Sequence, residues 1–158
     1  MRRLAALLLG STFALACSTE APTAAPGDAR LARLEGADQG GKLLTATLLG
    51  AKEVPGPGDP DGRGTARITV NNGQSTICYE ITVSGIAPAT MAHIHLGGPT
   101  VSGPVVQGLI APTNGSSSGC IETTNERLLE GLRKNPENYY VNVHNREFPG
   151  GAIRGQLD

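Results

Sequence analysis

From residue 42 onward the chain is chopped into short apolar runs by Gly, Pro and Asn, and this punctuation limits what it can fold into. The runs are "KLLTATLLG", "GTARITV", "STICYEITV", "MAHIHLG", "PVVQGLI", "SGCIE", "YYVNVHN" and "AIRGQL". Many of them alternate apolar with polar residues, the period-2 signature of a strand with one buried face. "NNGQ" at 71–74 separates two of these runs and offers the Asn-Gly pair that a tight hairpin uses for positive φ. About eight short strands with turn signals between them predict an all-β, antiparallel Greek-key sandwich or barrel rather than a parallel sheet. One short helix interrupts the series. "TTNERLLEGLRKNP" opens with Thr123 three residues before Glu126, a capping-box pattern, carries Leu128, Leu129 and Leu132 on one side, and stops at Asn135-Pro136. Its leucines are expected to cover an open end of the β structure.

Ahead of this domain, "MRRLAALLLGSTFALAC" has two arginines, an apolar run and small residues before Cys17, the layout of a secretory signal over residues 1–16. Two processing readings share one bond. Ala14-Leu15-Ala16 fits an ordinary signal-peptidase site, whereas the cysteine that follows fits lipidation at Cys17. In the second reading Cys17 carries a membrane anchor, and the protein is a bacterial cell-envelope lipoprotein; in the first it is a soluble exported protein. Residues 17–41, rich in Ala, Pro, Gly and charge without an apolar repeat, read as a flexible tether. Residues 42–158 are left as one domain. When Arg2 and Arg3 depart with the signal, 11 of the 13 basic residues remain against 14 acidic ones, a formal charge of −3. A chain with no basic face is not built to bind nucleic acid.

With Cys17 assigned to the anchor, Cys78 and Cys120 remain as a pair in an oxidising compartment, where a disulfide is the expected state and two separately buried thiols the alternative.

The chain has three histidines, and all lie in two of the strand segments. Residues i and i+2 of a strand project from one face, so His93 and His95 point together, away from Ala92 and Ile94. The same period sets Tyr140, Asn142 and His144 against Val141 and Val143. All three histidines therefore fall on the polar faces of their strands. Two co-facial imidazoles, joined by a third from a neighbouring strand, make a three-nitrogen set suited to Zn or Cu with a fourth position open. The alternative is that they are ring hydrogen-bonders that shape loops.

Taken together, "AHIHLGGPTVSGPVV" and "NPENYYVNVHNREFPGGAIRGQL" resemble the CHRD domain, the module named after chordin and common in secreted bacterial proteins. The resemblance extends to "LLGAKEVPGPGDPDGRGTARITV" at 48–70, with its Glu-Val-Pro turn, and to the region around 118–136. It implies a β-sandwich extracellular module, and it brings in Glu53 of the Glu-Val-Pro turn as an acidic neighbour that could ligate a metal or orient a ligand imidazole. The His-x-His strand is also similar to the Greek-key copper/zinc superoxide dismutases, but three histidines are too few for that enzyme's paired metal centre.

No phosphate cradle, nucleophile elbow or dinucleotide fingerprint is present. Asp59 and Asp61 lack the full ligand series of a calcium loop and read as a solvated turn. Three functions follow: an extracytoplasmic binding module with a Cu or Zn site on His93, His95 and His144; a structural or adhesive surface module without metal; or a small metal-dependent oxidoreductase. An extracellular protein partner is open in each.

Overall fold

The computed structural model describes residues 40–158. The expected signal at 1–16, the lipidation of Cys17 and nearly all of the tether lie outside the described residues.

Each apolar run forms a strand: β1 (Lys42–Leu49), β2 (Arg63–Asn71), β3 (Thr76–Ser84), β4 (Ala89–Leu96), β5 (Val105–Leu109), β6 (Ser116–Glu122), β7 (Tyr139–Asn145) and β8 (Ile153–Gln156). They join in one antiparallel sheet of order β5-β4-β7-β8-β1-β2-β3-β6. Curling brings the end strands β5 and β6 near each other, so the sheet is a nearly closed barrel. Side chains span the seam: Ser117 Oγ donates to Ile110 O at 2.7 Å, and Ile110 N donates to the Tyr79 hydroxyl at 3.0 Å.

Alternation decides the inside. Leu44, Ala46 and Leu48 of β1, Ile68 and Val70 of β2, Ile77, Tyr79 and Ile81 of β3, Ile94 of β4, Val141 and Val143 of β7 and Ile153 of β8 share one core. At about 25 cal/mol per Å² of apolar surface removed from water, this core is the main favourable term in folding. The helix, α1 (Glu126–Lys134), adds Leu128, Leu129 and Leu132 to the same core, at the end of the barrel where β1 starts and β2 stops. There Lys42 Nζ donates to Arg133 O at 2.8 Å.

Two local expectations need correction. The cap of α1 is Asn125, whose Oδ1 accepts from Leu128 N at 3.0 Å, while the Thr123 hydroxyl accepts from Asn125 N one step earlier. An Asx cap was available two residues inside the apparent capping box, and the helix starts from it. The β2–β3 hairpin is present, but its left-handed residue is Ser75 at φ 53° and not Gly73. Asn71 pairs with Thr76, which leaves a four-residue loop. The Asn71 Oδ1 accepts Gln74 N at 3.0 Å, so a side chain closes the turn.

Cys78 and Cys120 are directly opposite in the β3–β6 register and form a disulfide. Their neighbours Ile77 and Tyr79 point inward, so the bridge lies on the outer surface and ties the end strand β6 to the sheet.

Candidate metal centre

The two His-bearing strands are neighbours. In the β4–β7 register Met91 faces His144, His93 faces Asn142 and His95 faces Tyr140. Both expected alternations hold, and the histidines share the outer face. That face is not the solvated surface its polarity suggested: every residue of β7 is buried, His144 is 7% exposed and His95 8%. Three loops cover it, over 50–62, 97–104 and 146–152.

The loops are pinned to the sheet and to one another. Arg154 on β8, 1% exposed, donates from Nη1 to Val101 O at 3.0 Å and from Nη2 to Gly98 O at 2.7 Å. Its guanidinium lies 3.4 Å from the centre of the Tyr140 ring, and His95 stacks against Tyr140 with ring centres 4.6 Å apart. Gln156 Nε2 donates to Gly97 O at 2.7 Å. Asp59 N donates to Ala152 O at 2.8 Å, and the buried Asp59 carboxylate accepts Asp61 N at 3.2 Å. Asp59 therefore braces its loop, which corrects its reading as part of a solvated turn.

One ligand atom from each of His93, His95 and His144 can be chosen so that all lie within 4.8 Å of one another. His95 Nδ1 is 2.9 Å from Gly103 O and His144 Nδ1 is 3.0 Å from Pro149 O. A carbonyl only accepts, so each Nδ1 carries the hydrogen and each Nε2 keeps a bare lone pair. This is how second-sphere carbonyls orient imidazole ligands in metal proteins. His144 Nε2 accepts from His93 Nδ1 at 3.1 Å, whereas His95 Nε2 is buried with no hydrogen-bond partner among the described residues. Two nitrogens bound tetrahedrally at about 2.0–2.1 Å from one ion sit roughly 3.4 Å apart, close to the His93–His144 separation.

Electrostatics keep the rings neutral. Burial is the largest influence on all three and pushes each below the ordinary histidine value; for His93 the other two imidazoles push the same way. The carbonyl bonds to His95 and His144 oppose this without overcoming it. Neutral imidazole is the form that binds metal.

Glu53, the expected acidic neighbour, does not join the three nitrogens. Both of its oxygens accept from Asn142 Nδ2, at 3.0 and 2.9 Å, and it is 6% exposed. Burial raises its pKa to about 7 against the opposing pull of Arg154 and the Asn142 bond. Gly151, at φ 147°, allows this approach, because a Cβ there would collide with the Glu53 carboxylate. Arg154 and Tyr140 are the site-building residues that sequence reasoning missed. The signal for Arg154 was its alternation with Ile153 in the last strand.

A small antiparallel barrel with a loop-covered polar face bearing clustered imidazoles defines the class as a β-module with a preformed donor set. The CHRD domain family matches residues 44–157, and the chain belongs to it. Searches of curated proteins and of solved structures returned no match.

Proposed function

We propose that this protein is an extracytoplasmic CHRD-domain binding module that holds one Cu or Zn ion on His93, His95 and His144, exported by the segment 1–16 and tethered to the bacterial cell envelope through Cys17. The observation that carries the metal reading is the buried Nε2 of His95, unpartnered among the described residues, beside two further imidazole nitrogens and with its tautomer set by Gly103 O. Leaving a buried acceptor unsatisfied costs on the order of 1–3 kcal/mol, a cost that a bound cation would remove. Glu53 serves this site from outside the ligand set, through Asn142, the residue registered against His93.

A second reading rests on a specific observation. The Nδ1 bonds to Gly103 and Pro149 are also what a metal-free structural or adhesive module would use to pin its loops. Titration of the untagged protein with Zn(II) and Cu(II) against a chromophoric chelator separates the two. One equivalent bound by the parent, and lost in His95→Ala and His144→Ala, supports the metal site. Absence of stoichiometric binding by the parent gives the structural reading. Redox cycling of a bound ion would add the oxidoreductase reading to the first.

A further inference from the structure

The donor set as described has three nitrogens, and its acidic candidate is engaged elsewhere. The side chain of ligand chemistry registered directly with the cluster is Met91. It precedes His93 by two residues, so strand period puts it on the outer face with His93 and His95. In the β4–β7 ladder it is the Cα partner of His144, and directly opposed residues of an antiparallel pair have Cβ atoms about 4.5–5.5 Å apart. In the β4–β7 ladder the register is continuous from Met91 to Leu96, with an irregularity before it between Ala89 and Met91; in the β4–β5 ladder a second one falls between Ile94 and His95, where the extra residue is Val106 of β5 and the alternation along β4 is kept. An irregularity of this kind re-aims a neighbouring side chain.

Met91 is the only methionine besides Met1, and it is 43% exposed, although an unbranched apolar side chain is easily accommodated in a core. The flank beside it is open. Gly108 of β5 is registered against His93, and a Cβ added there would have nothing within 4 Å. The cluster can therefore be reached from solvent along the side where the thioether sits.

We propose that Met91 is the fourth ligand of the three-histidine site and that the ion it selects is Cu(I). This inference rests on the metal reading above. A thioether is a soft donor that suits Cu(I), whereas Zn(II) takes imidazole, thiolate and carboxylate. The thiolate alternative is closed for Cys78 and Cys120, which are joined to each other. Three rotatable bonds let the sulfur swing over the cluster when the ion arrives. The site then offers three nitrogens and one sulfur, with the sulfur on the solvent side.

The test uses the untagged full chain in a Cys17→Ser background, which removes the one competing thiol. Cu(I) affinity is measured under ascorbate by competition with bicinchoninate, and Zn(II) affinity by competition with a chromophoric chelator. Met91→Leu is expected to weaken Cu(I) binding by about tenfold or more while Zn(II) affinity stays within about twofold. In protein labelled at the methionine methyl carbons, the Met91 resonance is expected to shift with one equivalent of Cu(I). If Met91→Leu binds Cu(I) as the parent does, or weakens both metals alike, and His144→Ala abolishes binding in the same assay, the Met91 assignment falls and the histidine site stands. A methyl resonance that stays put in a stoichiometric Cu(I) complex overturns the assignment as well. If the parent takes up neither metal, both readings fall together.

Discussion

Replacing Glu53 by Gln removes a charge that the fold holds in an unfavourable place, and the size of the effect can be worked out in advance. The Glu53 carboxyl has its pKa raised from 4.5 to about 7, chiefly by burial. Each pH unit of displacement corresponds to about 1.36 kcal/mol, so the folded state bears a penalty of about 3 kcal/mol once the group is ionised in both states. Below pH 4.5 the carboxyl is protonated folded and unfolded, and the penalty is absent. Between 4.5 and about 7 the unfolded chain has lost its proton and the folded one retains it, so stability falls as pH rises; above 7 the full penalty persists. Glutamine is close in shape to the protonated acid, and Asn142 Oδ1, buried without a partner among the described residues, offers its amide an acceptor. Urea unfolding of both proteins with a metal chelator present should show near-equal stability at pH 4 and an advantage for Glu53→Gln of about 3 kcal/mol at pH 8.5. The three histidines act in the opposite direction. Their lowered pKa values supply stability that is complete above 6.5 and is lost as pH falls below it, but both proteins share that contribution and it cancels in the difference. A difference that does not change with pH, or one favouring the parent at pH 8.5, would refute the account of a buried carboxylate.

Removing the disulfide with Cys78→Ser and Cys120→Ser should cost roughly 4 kcal/mol in urea unfolding, since the bridge closes a separation of 42 residues. Amide exchange should then show β6 losing protection before the rest of the sheet; uniform loss would count against its role as the tie of an end strand. Asn125→Ala should cost about 1 kcal/mol and Thr123→Ala less, and the reverse ranking would restore Thr123 as the cap. Because all three imidazoles have lowered pKa values, proton competition for a bound Zn ion should set in below about pH 6.5, the unperturbed histidine value. A midpoint above that pH would contradict the neutral, buried cluster.

Period-2 alternation is a local code, and what it encodes was legible: eight strands, the inward side of the two that carry histidine, and the shared face of His93, His95 and His144. The Leu128, Leu129 and Leu132 stripe was legible for the same reason at helical period. Loop paths carry no such code. Nothing in "GGPTVSG" states that it will fold over a strand face, so the burial of His95 beneath it could not be read, nor could the capture of its carbonyls by Arg154. The Glu53 carboxyl was placed near the site by the resemblance, but its choice of Asn142 over the imidazoles depends on where Gly151 lets the turn settle. The hairpin turn failed at a finer level: Asn-Gly marks a turn, but loop length decides which residue takes the left-handed conformation, and here it is Ser75.

The β8 strand joins the two halves of the barrel, since Arg154 pairs with Asn142 on one side and with Leu49 on the other. Leu49 and Arg154 are more than a hundred positions apart, so this contact forms only after a long search by the chain, the costliest kind of closure in folding. Arg154 is also what clamps residues 98–101 over the histidines. The cover over the three imidazoles is therefore finished only when β8 has docked on both of its neighbours.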